Sequence, residues 1–325
     1  MKKYKKFVTR FILLVPILFV VYLSSIYFLY FDSRNDSFTI KIYYDYKENY
    51  AKSIKSQKIV FVSGSNNFLG IRASQIENYF NIPTVNLSVH AGLRTEYILY
   101  KSKKVLNKGD IVIIPFEYEN LMFNGEASIV KNQYLLTYDR DFLDKQDFIS
   151  QLKILSSISL YNFAFSAYDS FKEFYSDEVK YSYIKHLNRN GDMLDREKHF
   201  DLKTKKSLLK LLSPIDLETE GLKEIVKFSK WCDNHGVILY MSYPNMIYRD
   251  EYKNKIEYKQ YFTFLAKYFN DKNIITIGTP YNAMYPREYF HDSEYHLISK
   301  ASDIRTKDFI NQSKDILIKE IKNKK

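Results

Sequence analysis

The chain of 325 residues has one cysteine, Cys232, so no intramolecular disulfide can staple it. Cys232 falls in a predicted amphipathic helix over 217–234, where a small buried hydrophobe is the expected role. Six histidines are scattered, with no Cys/His cluster, so the chain lacks the spacing of a zinc site, and no metal or other cofactor is expected. No Arg-rich or Gly-rich basic tract occurs. Lys and Arg total 49 against 38 Asp and Glu, a net charge of +11, but the charge is spread along the chain. That distribution argues against a nucleic-acid partner and for a basic surface facing an anionic envelope or polysaccharide. No internal repeat is present. The 30 Tyr and 24 Phe are either platforms for stacking on sugars or a compositional habit shared with Lys, Asn and Ile.

Charge is also missing from residues 11–31. As a helix these 21 residues span about 30 Å, one bilayer core. Lys2, Lys3, Lys5, Lys6 and Arg10 precede the run and Asp32 follows it. The positive-inside rule then expects a cytoplasmic basic tail at 1–10 and residues after Asp32 outside. A cleaved signal peptide would end in a small-x-small site; here the run ends in Ile26-Tyr27-Phe28-Leu29-Tyr30-Phe31. A retained anchor in the cell membrane is therefore the expectation, with Tyr22, Tyr27 and Tyr30 at the outer interface.

The rest of the chain is organised around Ile59-Val60-Phe61-Val62-Ser63-Gly64-Ser65-Asn66-Asn67. An apolar run entering a small-residue turn suits a strand of a parallel sheet, which presents ligands at its carboxyl ends. Residues 32–57 read as a linker. Strands are predicted at 58–62, 84–87 and 111–114, with helices at 71–80 and 95–106 between them: a βαβαβ unit, hence an α/β fold with a parallel sheet. The alternation fails over about 120–213, which reads as a largely helical insertion with helices at 149–158 and 204–212. It resumes with a helix to 234, strands at 237–242 and 274–277, a helix at 251–269 and a last helix over 302–321. Residues 58–325 thus form one α/β domain carrying an insertion.

Ser65 follows the first strand; Asp292 and His296 follow the last. A serine nucleophile needs a base, and the base needs an orienting carboxylate. Gly92, after the second strand, would let backbone approach a substrate. Each residue also has a plainer role: Ser65 and Asp292 as caps, His296 as a bonded loop histidine, Gly92 as a turn glycine. His90 is a candidate substrate contact. Glu117 reads as a strand-end carboxylate touching the insertion, and Arg305 as the partner of a carboxylate.

In Val62-Ser63-Gly64-Ser65-Asn66, Asn86-Leu87-Ser88-Val89-His90-Ala91-Gly92, Ile114-Pro115-Phe116-Glu117-Tyr118 and the segment from Asp292 through His296 to Leu297, the chain resembles the SGNH/GDSL hydrolase-like superfamily. It is most similar to the membrane-anchored bacterial branch linked to surface-polysaccharide modification. The resemblance implies a three-layer αβα, flavodoxin-like domain. It implies Ser65 as nucleophile, His296 as base and Gly92 as an oxyanion donor. The expected activity is that of a serine esterase or O-acetyltransferase on an acylated glycan, or a scaffold that binds glycan or a membrane-bound acyltransferase. Two departures stand out. The family's Gly-x-Asn is absent after the third strand, leaving Asn66 or Asn120 as substitute donors. Asp292 precedes His296 by four positions instead of three, Ser293 holds the usual Asp place, and Glu294 is the fallback orienter.

Overall fold

A computed structural model describes residues 2–30, 35–169, 182–194 and 208–322. The chain is α/β with a central parallel sheet. Five short strands, β1 (Ile59–Phe61), β2 (Thr84–Asn86), β3 (Ile111–Ile114), β4 (Ile238–Ser242) and β6 (Ile275–Ile277), lie side by side in the order β2-β1-β3-β4-β6. Every neighbouring pair is parallel. β5 (Met246–Ile247) and β7 (Met284–Tyr285) make a separate parallel pair. Ile59, Val60 and Phe61 are fully buried, as are Ile111 through Ile114. Continuous apolar runs of this kind need cover on both faces, and each such side chain contributes about 1.5–3 kcal/mol. The cover on one face includes Phe309 and Leu317 of the last helix, which join Ile59, Phe61, Ile111 and Ile113 in one cluster.

The strand order reverses between β1 and β3, so a crevice opens at their carboxyl ends. At the opposite ends, Lys58 and Asp110 form a buried ion pair at 2.6 Å. Asp110 also accepts the Lys58 and Asn107 N–H groups. This pair fixes β1 beside β3 and lies away from the crevice.

The helices are α1 (Lys2–Leu29), α2 (Asn35–Ser53), a single turn α3 (Ser65–Phe68), α4 (Ala73–Phe80), α5 (Arg94–Lys103), a turn α6 (Tyr118–Leu121), α7 (Ile129–Tyr138), α8 (Arg140–Asp144), α9 (Phe148–Ser156), α10 (Leu160–Asp169), α11 (Glu220–His235), α12 (Asp250–Asn254), α13 (Ile256–Asp271) and α14 (Ser299–Lys322). Thr219 caps α11 through the Leu222 N–H, and Gly236 ends it at φ +65. Cys232 is buried in α11, and burial pushes its thiol up to about 12. α1 is one long apolar helix near the amino terminus, of a length that crosses a membrane.

Two expectations change. The stretch 32–57 is not a linker: residues 35–53 are the helix α2. Its inward residues include Phe38, Ile40 and Ile42, but also Lys47, which donates to Ser88 O, and Glu48, which pairs with Lys101, so hydropathy marks only part of its buried face. The insertion is also divided. Residues 127–169 group with residues 2–41 in one compact unit, whereas 182–194 and 208–213 group with the sheet in the other. Of the helix expected at 204–212, residues 204–207 lie outside the described residues and 208–212 are not helical.

Segment 182–194 covers the free edge of β2. Asn190 O accepts the Asn86 N–H at 2.8 Å, and Asn190 Nδ2 donates to Thr84 O. Asp192, fully buried, accepts the Ala73 and Ser74 N–H groups and the Ser74 hydroxyl at 2.7, 3.0 and 2.8 Å, capping α4. Replacing it leaves buried donors unpaired. Asp192→Ala should lower the unfolding free energy by about 2 kcal/mol in a denaturant titration, with the slope unchanged.

Candidate active site

The turn after β1 is held from below by the end of β3. Asn66, immediately after Ser65, donates its backbone N–H to Glu117 Oε1 at 3.0 Å and its amide Nδ2 to Pro115 O at 2.8 Å. Ser63 Oγ donates to Asn66 Oδ1 at 2.7 Å. Asn120 donates its amide to Glu117 Oε2 at 3.3 Å. Gly64 has no room for a side chain: a Cβ would meet Ala91 Cα at 2.6 Å and collide with the Glu117 carboxylate. The β2 loop and the β3 loop therefore close on the Ser65 turn from two directions. Ser65 is left half-buried at the first position of α3. Among the described residues, no group accepts its backbone N–H.

The second half of the site comes from the segment before α14. Phe290 bridges Leu297, and His291 N–H donates to His296 O at 2.7 Å, closing a tight loop over 291–296. Inside it, Ser293 Oγ accepts the Tyr295 and His296 N–H groups at 3.2 and 3.1 Å. Asn245, buried after β4, donates its amide to Tyr295 O, and Gly70 packs against the same amide. Ser302 donates to Leu69 O at 2.7 Å and Thr306 accepts the Arg72 N–H at 2.9 Å, so α14 grips the exit of the Ser65 turn.

These supports bring Ser65, His296 and Asp292 into one chain. Ser65 Oγ lies 2.8 Å from His296 Nε2, and His296 Nδ1 lies 2.6 Å from Asp292 Oδ1. A carboxylate only accepts, so Nδ1 carries the proton and Nε2 is free to accept from the serine. The His296 side chain is 22 % exposed and Asp292 41 %, so the chain opens to solvent on the Asp292 side. His291 Nδ1 lies 3.4 Å from the other Asp292 oxygen. The four-residue spacing does not separate Asp292 from His296, because Ser293 folds the intervening turn. Glu294 is not the orienter: it pairs with Arg249 at 3.0 Å.

The proposed oxyanion residues are arranged differently from expectation. Gly92 donates its N–H to His90 Nδ1 at 2.9 Å. Asn66 and Asn120 are buried, and their amides hold Pro115 and Glu117. Neither is a substitute donor in this arrangement. Glu117 touches both the Ser65 turn and Asn120 at the start of the insertion, and Arg305 donates to Tyr243 O at 3.0 Å, with no carboxylate partner among the described residues. Asn245 and Ser293 were not singled out as site residues by the sequence. Asn245 does stand just past a parallel strand's carboxyl end, where such sheets carry functional residues. No group of three or more His, Cys, Asp or Glu converges on a metal site among the described residues.

Burial raises the Glu117 carboxyl above its ordinary value of 4.5, and the Asn66 N–H pulls it part of the way back. A value raised by folding means that Glu117 contributes its full stability below the unfolded value and loses it as the pH rises through the folded one. Glu117→Gln removes this titration. The apparent Tm of the variant should therefore gain on that of the parent as the pH rises from about 4 to about 8. Parallel pH profiles would refute the assignment.

The chain matches no protein-family model and no curated protein.

Proposed function

We propose that the chain is an anchored serine esterase or O-acyltransferase with an SGNH-like, flavodoxin-like domain that acts on a cell-surface glycan. The observation that carries this is the hydrogen-bonded chain Ser65–His296–Asp292 at 2.8 and 2.6 Å, on a parallel sheet's carboxyl edge. The strand order β2-β1-β3-β4-β6 supports the fold assignment, since it follows the flavodoxin-like sequence of parallel strands.

In this reading Ser65 Oγ attacks the acyl carbonyl of an ester while His296 Nε2 takes the hydroxyl proton. Asp292 stabilises the imidazolium so formed. The Ser65 N–H stands at the start of a helical turn and can donate to the developing oxyanion. Collapse expels the alcohol, which takes the proton from His296 and leaves an acyl-Ser65. Water or a sugar hydroxyl then attacks, again giving its proton to His296, and frees an acid or a new ester. The acceptor alone separates hydrolase from transferase. The basic chain and the apolar α1, read as an anchor with a cytoplasmic amino terminus, favour an acidic extracytoplasmic polysaccharide as substrate.

The test uses the detergent-purified full chain with a small acetyl ester and with acetylated glycan. Ser65→Ala and His296→Ala should each lower kcat on the order of 10⁶-fold, and Asp292→Ala about 10⁴-fold. Unchanged turnover in Ser65→Ala overturns the proposal. Ser293→Ala should lower kcat by up to about 100-fold with KM unchanged, because Ser293 bonds only the backbone that places His296. A second reading, a scaffold that binds glycan or a membrane acyltransferase without turnover, is favoured by one observation: the Gly92, Asn66 and Asn120 donors are already engaged. Glycan binding that survives Ser65→Ala, with no turnover in the parent, would decide for it.

A further inference from the structure

A helix on the surface of a water-soluble domain turns its apolar stripe inward. Helix α10 does the reverse. Tyr161, Ala164, Phe165 and Tyr168 stand at i, i+3, i+4 and i+7, and all four are exposed, Tyr161 at 75 %. Tyr161 and Phe165 stack on each other at 6.2 Å. The inward side of α10 carries the half-buried Phe163 and the buried Ser166. Leu160 and the start of α9 add to the outward apolar surface: Phe148 is 70 % exposed and Ile149 is exposed beside it. Such a face, on adjacent helices, is unfavourable in water.

The same compact unit contains α1, and the contacts within it fall at one end of that helix. Tyr22 donates to Ile158 O at 2.8 Å and meets the Phe163 ring edge-on at 6.1 Å. Tyr27 donates to Asp144 at 2.7 Å, and Arg140 donates to Tyr30 O at 3.3 Å. Residues 11–21 of α1 are exposed throughout. The helices of 127–169 therefore gather around the last two turns of α1 and leave its apolar body bare. That body is the part a bilayer core would surround, and the gathered helices stand at the level of its surface. Tyrosine is a residue of that interface, and phenylalanine is common on the apolar face of helices that lie in it. Residues 127–169 hold Lys131, Arg140, Lys145 and Lys153 against Asp139, Asp141, Asp144, Asp147 and Asp169, so this region carries no excess positive charge for anionic lipid.

We propose that residues 127–169 form a membrane-seated collar: the face made by Phe148, Ile149, Leu160, Tyr161, Phe165 and Tyr168 inserts into the headgroup interface of the bilayer that α1 crosses, at the carboxyl end of α1. Apolar burial drives it, as for interfacial amphipathic helices. The inference rests on α1 as a membrane span. The occupant is the lipid surface itself, because the contacts to Tyr22, Tyr27 and Tyr30 hold the face beside the emerging anchor.

The test uses the full-length chain, with Trp231→Phe removing the native indole, in phosphatidylcholine vesicles. Three further variants each carry one new probe: Tyr161→Trp, Phe148→Trp and Ile17→Trp. Emission is read with lipid brominated either near the headgroup or near the chain end. Tyr161→Trp and Phe148→Trp should lose more emission to shallow bromine, and Ile17→Trp more to deep bromine. If Ile17→Trp is quenched by deep bromine while Tyr161→Trp and Phe148→Trp are unquenched and open to aqueous iodide, the anchor stands and the collar is overturned. A face reserved for another membrane protein gives that result. If Ile17→Trp is unquenched, the span and the collar fall together.

Discussion

The site depends on one buried carboxylate. Glu117, at the end of β3, receives the N–H that follows Ser65 and the amide of Asn120, with almost no access to water. Burying a carboxyl is costly unless it is hydrogen-bonded, and here the bonds go to the backbone of the turn that carries the serine. The neighbouring residues follow from this. Gly64 is confined by Ala91 and by the carboxylate itself, so no other residue fits there without displacing one of them. Asn66 spends its side chain on Ser63 and Pro115, which fixes the rotation of the turn against β3. A serine on a loose turn would sample many positions; this one is referenced to the sheet through two loops.

The histidine reaches Ser65 by a different device. Asp292 and His296 are four positions apart on a loop that is not helical, yet the two side chains meet at 2.6 Å. Between them stands Ser293, whose hydroxyl takes two successive backbone N–H groups and so tightens the turn. Asn245 then secures the carbonyl just before His296, and Arg249 holds Glu294 away from the imidazole. The loop after β4 and the loop before α14 are thus one assembly, which the pairing of β5 with β7 completes.

Much of this was legible in the chain because it is local. The apolar run from Ile59 to Phe61 and the alternation around it specify a parallel sheet, and a parallel sheet puts Ser65 and Glu117 at the same edge. Asp292 and His296 stood close enough in sequence to suggest each other. The remainder depends on contacts far apart in the chain. Asn66 could be read as a donor to substrate only while its partner Pro115, 49 residues away, was unknown. Asp192 caps a helix 118 residues earlier, and no local pattern announces that. Helix α2 has no clear apolar stripe, because Phe38, Ile40 and Ile42 share its buried side with Tyr44, Lys47 and Glu48. Lys47 is wholly enclosed, its ammonium bonded to Ser88 O at 2.5 Å and lying over the Phe68 ring, and burial pushes its pKa well down. A hydropathy pattern counts such a residue as surface.

The engaged N–H of Gly92 bears on both functional readings. His90 Nδ1 accepts it at 2.9 Å, which closes the loop on itself and leaves the glycine satisfied when no substrate is bound. A neutral imidazole is a weaker acceptor than an oxyanion, and charge-assisted hydrogen bonds are roughly twice as strong as neutral ones. Under the catalytic reading, an oxyanion forming at Ser65 would therefore draw the donor away from His90, and the bond would be replaced only when charge develops. Stabilisation of that kind acts on the transition state more than on the bound ester, which is the condition for raising kcat and not merely binding. Under the scaffold reading nothing competes for the donor, and His90 keeps it. The two readings thus assign opposite fates to one hydrogen bond. The outcome turns on whether negative charge ever forms beside Ser65.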